Sequence, residues 1–160
     1  MNANRPFIDK SHPEVYKAAV GAASATRKAA VAAGIDVGLI ELINTRVSQI
    51  NGCHTCLSIH VPAARKAGVE QLKLDVLAAW RESHIFDDRE RAALLIAESL
   101  TNLDVPVDRD EIAAEAARHL STEQIAAVEW IATMINAFNR ISIASNHPTV
   151  GAKKAAQLAD

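Results

Sequence analysis

The chain has 160 residues, of which 49% are apolar and only 4% aromatic, and its formal charge is −2. That length favours one domain with a core of its own, needing no disulfide staples. The slightly acidic balance excludes a surface built for nucleic acid or anionic membrane, and no Lys/Arg cluster reverses it.

Glycine and proline are sparse and much of the apolar content is alanine, the best helix former, so an all-α fold is expected. The apolar periodicity predicts about seven helices with short joints. Ser11-His12-Pro13-Glu14 reads as a capping box, with Ser11 as N-cap and Glu14 three residues on. This first helix runs to about Ala33, where Gly34 supplies the stop. Asp36 caps a second helix whose apolar face is Leu39, Ile40, Leu42, Ile43, Val47 and Ile50, and Asn51-Gly52 interrupts it. A third helix carries the two cysteines and ends near Gly68. Pro62 inside it cannot bond back to the carbonyl of Ser58, which predicts a kink. Val69 to Arg81 forms a fourth helix, a fifth begins at Asp87-Asp88-Arg89-Glu90, and Asp108 to Leu120 is a sixth. Ser121-Thr122-Glu123-Gln124 is a capping box that opens a long last helix towards Ser145, and Pro148 prevents its continuation. No internal repeat or low-complexity linker appears. The loosest joint, Asn102 to Val107, is too short for a domain boundary, so residues 1–160 read as a single domain. The broad apolar, alanine-rich faces call for partners on more than one side, which points to packing between subunits.

The N-terminal run Met1-Asn2-Ala3-Asn4-Arg5-Pro6 lacks the apolar core of a signal peptide. The most apolar stretch, Ile125 to Ile143, carries Glu129, Asn136, Asn139 and Arg140, a load that a bilayer span rarely tolerates. A soluble, cytoplasmic protein with no membrane partner is expected. In that compartment a Cys-x-x-Cys pair does catalytic or metal chemistry more often than it forms a structural disulfide.

The pair is Cys53 and Cys56, the chain's only cysteines, with His60 four residues further on. On a helix the three share one face. Cys53 follows Gly52 and should stand at the helix start, where free backbone N–H groups stabilise a thiolate. His60 could take a proton from Cys56 or give one to a leaving oxygen. Two buried cysteines acting as small apolar residues are the bland alternative. Zinc is the sharper one, since Cys53, Cys56 and His60 supply three ligands, with His84, His119 or His147 as a fourth, but no second closely spaced ligand pair exists. Glu41, twelve residues before Cys53, lies among Ile40, Leu42 and Ile43. Burial there would raise its pKa and suit it to proton transfer, while sequence physics alone favours a solvated surface glutamate.

Glu41 followed by Cys53-x-x-Cys56-x-x-x-His60 resembles the alkylhydroperoxidase D-like branch of the carboxymuconolactone decarboxylase superfamily. Asn51-Gly52, Gly68, Trp80-Arg81, the run Arg89 to Leu94, and Trp130 through Asn139-Arg140 share the likeness, which spans roughly residues 11 to 145. The resemblance implies an all-helical fold assembled as trimers or hexamers, with thiol peroxidase activity and no bound cofactor. By position, Cys56 matches the peroxide-attacking cysteine, Cys53 the resolving cysteine, and His60 with Glu41 the proton relay. A hydroperoxide is the implied substrate and an external dithiol, such as a lipoyl-bearing protein, the implied reductant. The superfamily's decarboxylase branch typically lacks the cysteine pair. Helix-terminus physics favours Cys53 as the more acidic thiol, whereas the resemblance and the nearness of His60 favour Cys56. Some members carry a relay histidine just before the second cysteine. Thr55 stands there in this chain, and His54, one position earlier, should point to another side of the helix.

Overall fold

A computed structural model describes residues 5–151. The run Met1 to Asn4, part of the segment read above as lacking a signal-peptide core, lies outside them, as do residues 152–160. The described chain is all-helical: α1 (Ile8–Ser11), α2 (Pro13–Ala32), α3 (Val37–Ile50), α4 (His54–Lys66), α5 (Gln71–Val76), a 3-10 helix (Leu77–Glu82), α6 (Asp88–Thr101), α7 (Arg109–Ala116) and α8 (Thr122–Ser145).

Two differences from the expected seven have physical causes. The first concerns the start of the chain. Pro13 takes the first position of α2, where its missing N–H is no loss, so His12 rather than Ser11 is the N-cap. Ser11 instead ends the short α1, its hydroxyl donating to the Phe7 carbonyl at 2.9 Å. The second lies in the segment read as one helix from Val69 to Arg81. It divides into α5 and the 3-10 helix, with Ala79 at φ −113°, ψ 27°. Arg91 holds the end of that turn, donating to the carbonyls of Trp80, Arg81 and Ser83 at 3.0–3.2 Å. The other starts follow the sequence. Asp36 accepts from the Leu39 amide at 3.0 Å, and Asp87/Glu90 and Ser121/Gln124 form reciprocal capping boxes. Helix α4 continues through Pro62 to Lys66.

The core is organised around α3, which packs on α4, α6 and α8, while α2 lies along α8. Leu42, Ile43 and Val47 of α3 meet Leu77, Leu94 and Val128 with no exposed surface. Full burial of side chains of this size stabilises by about 1.5–3 kcal/mol each. Helix α2 contributes little to this core, since only Ala30 of its twenty residues is buried.

Trp80 is a core residue with its indole N–H donating to Glu98 at 2.9 Å. Arg46 and Arg81 also donate to that carboxylate, at 2.6 and 2.7 Å. Arg81 therefore pairs within its own chain, and its guanidinium lies over the Trp80 ring. Burial pushes the Glu98 carboxyl up, but these three donors outweigh it and hold the group below its ordinary range.

Candidate active site

The turn between α3 and α4 sets the position of the cysteines. Gly52 adopts φ +65°, a conformation that costs a glycine little. This lets the Cys53 amide donate back to the Ser48 carbonyl at 3.0 Å and closes α3. Cys53 then serves as the N-cap of α4, its sulfur accepting from the Cys56 amide at 3.3 Å. A buried polar network locks the turn from behind. The Asn51 amide donates to the side-chain oxygens of Asn136 and Asn139, each at 2.9 Å, and Asn139 donates to Ser48 at 3.1 Å. Arg140 donates to the backbone and side-chain oxygens of Asn136. Asn136 and Asn139 therefore anchor α8 to the cysteine turn. The sequence carries a signal for this, because two asparagines three residues apart on an apolar helix must find buried partners.

Cys53 and Cys56 are joined in a disulfide with their Cα atoms 5.3 Å apart, and both are buried. His60 stands one turn beyond Cys56 on the same face of α4. Its Nδ1 lies 2.7 Å from Glu41 Oε2. A carboxylate only accepts, so Nδ1 carries the hydrogen in the neutral ring and Nε2 holds the free lone pair. The structure thus joins the two cysteines and pairs His60 with Glu41, with Cys53 at the N-cap of α4, Cys56 and His60 within it and Glu41 on α3.

Glu41 departs from two expectations. It is buried, with 4% of its surface exposed, and not a solvated surface residue. Its pKa is lowered rather than raised. Burial alone would push it up, but the hydrogen bond and charge of His60, and then those of Arg27, outweigh burial. Arg27 of α2 places its guanidinium 2.7 Å from Glu41 Oε1. The Asn44 amide lies 3.5 Å from Oε2. Nothing in the local sequence singles out Arg27, which reaches Glu41 from another helix.

His54 and Thr55 serve a different purpose. They lie with Ser58 on the side of α4 away from Cys56 and His60. Thr55 donates to the His147 carbonyl at 2.6 Å, His54 Nδ1 is 3.0 Å from the Thr149 hydroxyl, and Ser58 accepts from the Val150 amide at 2.9 Å. They hold the segment that follows α8. Of the histidines considered as a fourth zinc ligand, His147 lies 3.1 Å from Asp9, and His119 sits between Asp88 and Glu115. Among the described residues no three His, Cys, Asp or Glu side chains are grouped to hold a metal.

Comparison with known proteins decides the family. Residues 13–99, a little over half the chain, match the carboxymuconolactone decarboxylase family. This protein belongs to that family. The matched span contains Arg27, Glu41, both cysteines and His60. Two curated relatives are named as uncharacterised proteins. YdfG of Bacillus subtilis (strain 168) is 38% identical over 104 residues, which make up 65% of this chain and 71% of YdfG. YnjA of Escherichia coli (strain K12) is 28% identical over 118 residues, 73% of this chain and 64% of YnjA. A solved protein of unknown function from Agrobacterium tumefaciens, with a suggested assignment as the antioxidant-defence protein AhpD, superposes with a TM-score of 0.81 at 28% identity. That match covers 93% of this chain and 99% of the other. The debrominase Bmp8 superposes at 0.74 with 23% identity, over 94% of this chain and 80% of Bmp8, a likeness of fold alone. This carboxymuconolactone decarboxylase-family chain therefore has the AhpD-like helical architecture that its sequence resembles. Among the described residues no helix is long and apolar enough to cross a membrane.

Proposed function

We propose that the chain is a thiol-dependent peroxidase that reduces hydroperoxides through Cys56 and Cys53. The observation that carries this reading is the Cys53–Cys56 disulfide at the start of α4, with His60 one turn beyond Cys56 on the same face of that helix and hydrogen-bonded to Glu41 of α3. The AhpD-like architecture adds support.

In the reduced protein, His60 takes the Cys56 proton. The thiolate attacks the distal peroxide oxygen, the O–O bond breaks, and the alkoxide leaves with the electron pair. The imidazolium returns the proton to it, giving an alcohol and a Cys56 sulfenic acid. The Cys53 sulfur attacks the sulfenic sulfur, hydroxide leaves with the Cys53 proton as water, and the disulfide closes. An external dithiol of the lipoyl type, exchanging through a mixed disulfide, restores both thiols and is itself oxidised. The net change is one hydroperoxide and one dithiol converted to alcohol, water and a disulfide, with no bound cofactor required.

The unit is a single domain acting in the cytoplasm as a homo-oligomer, trimer or hexamer. Its exposed Val15 and Trp130, at 69% and 59%, favour a partner subunit. Consumption of cumene hydroperoxide with dihydrolipoamide as donor tests the reading. Cys56→Ser should stop turnover. Turnover that survives this change would show that Cys56 is not the nucleophile.

A further inference from the structure

Helix α2 is mostly solvated, yet it sends one side chain to the buried carboxylate behind the cysteines. Arg27 Nη1 meets Glu41 Oε1 at 2.7 Å and His60 Nδ1 meets Oε2 at 2.7 Å, so each oxygen has one ionisable nitrogen partner. The Glu41 side chain is only 5% exposed, whereas that of Arg27 is 42% exposed. We propose that Arg27 is a positioning residue that keeps Glu41 a permanent anion, so that His60 alone carries the proton of the thiol chemistry. The idea rests in part on the peroxidase reading, because it assumes that His60 serves the cysteine pair.

During a cycle of the kind described, His60 alternates between imidazolium and imidazole. In the neutral state it no longer balances the Glu41 charge. A buried carboxylate without a cation is strongly disfavoured and regains a proton. The proton would then move no further than from one member of the pair to the other. A cation that never titrates prevents this, and arginine is the side chain with that property. Asn44, at 3.5 Å, is neutral and distant. Two other arginines on the neighbouring helices are engaged elsewhere: Arg46 of α3 by Glu98, and Arg140 of α8 by Asn136. The remaining ionisable chemistry on the shared face of α4 is the cysteine pair.

Arg27 also fixes geometry. With Oε1 held by the guanidinium, Oε2 presents its lone pairs to Nδ1, which orients the imidazole with Nε2 available for chemistry. A purely structural arginine would alter stability but not the proton inventory of the pair. Without the Arg27 charge, the Glu41–His60 pair holds its extra proton to higher pH, so the free base appears later in a titration.

The test reads thiol chemistry without peroxide. Fully reduced protein is alkylated with iodoacetamide from pH 5 to 9, and the rate is followed by intact mass for the parent, Arg27→Gln and Arg27→Lys. Arg27→Gln should move the acid limb of the profile upwards by roughly half to one pH unit, an opposite-charge effect reduced by the partial exposure of Arg27. Arg27→Lys should return it most of the way. In a Glu41→Gln background, Arg27→Gln should add no further shift. A uniform fall in rate with no movement along the pH axis overturns the proposal, as does an undiminished shift in the Glu41→Gln background. Cumene hydroperoxide consumption by the same proteins separates the two readings. If the alkylation limb moves while no form consumes peroxide, the role of Arg27 stands and the peroxidase reading fails.

Discussion

Replacing Glu41 with glutamine removes a charge and changes almost no volume, so it isolates the electrostatics of the site. The native carboxylate accepts from Arg27 and His60 at 2.7 Å each. Charge-assisted hydrogen bonds contribute about 1.5–3 kcal/mol each, but the Arg27 partner is too exposed for the full figure, and burying the charge offsets part of the rest. A glutamine that turns its oxygen to His60 must point its amide at Arg27, donor against donor, and Arg27 then swings into solvent. The net cost at pH 7 is about 1–2 kcal/mol. For a chain of this size that lowers the melting temperature by about 2–8 °C. The pH dependence follows from the direction of the Glu41 shift. Its folded pKa lies below the ordinary 4.5, so its contribution is fully present above that value and is lost as pH falls through the folded pKa. Urea unfolding at pH 7, 5 and 3.5 should show parent and variant converging at the acid end. The thiol–peroxide rate should also fall by about 10²-fold, the lower end of general-base contributions, because glutamine still orients the ring. A stability gap that widens towards acid, or a rate within twofold of the parent, would refute the electrostatic reading of this pair.

Two further outcomes test the frame that holds the site. Glu98→Ala leaves Arg46 and the buried Trp80 N–H without their acceptor and should cost about 3–5 kcal/mol in urea unfolding, while Glu98→Gln, which still accepts from Trp80, should cost less. Gly52→Ala meets no atom within 4 Å but must hold φ +65°, so it should cost about 1–2 kcal/mol through strain alone. Equal stability of that variant and the parent would show that the turn relaxes.

Much of the frame is readable in the sequence, because local chemistry decides it. Asp36, Asp87 and Ser121 announce helix starts through side chains that bond amides three residues away. Cys53 is legible as a helix-start residue because Gly52 precedes it, and the shared face of Cys53, Cys56 and His60 follows from helical spacing. The features that escape depend on contacts between helices. Sequence physics treats a glutamate as solvated, and Glu41 becomes a credible buried anion only once Arg27 and His60 are placed beside it. The network of Asn51, Asn136 and Asn139 joins residues more than eighty positions apart. The end of the 3-10 helix is held by Arg91, a partner on the next helix that the pattern within the segment does not show. Ser11 misleads for the opposite reason, since it satisfies a local cap pattern that Pro13 pre-empts.

The peroxidase reading meets its most direct test in a thiol count and intact mass of fully reduced protein, taken before and after one equivalent of cumene hydroperoxide. Both thiols of each chain should disappear, and the mass should fall by two hydrogens with no oxygen retained. Thiols that persist, or a stable gain of oxygen without loss of the second thiol, would contradict it.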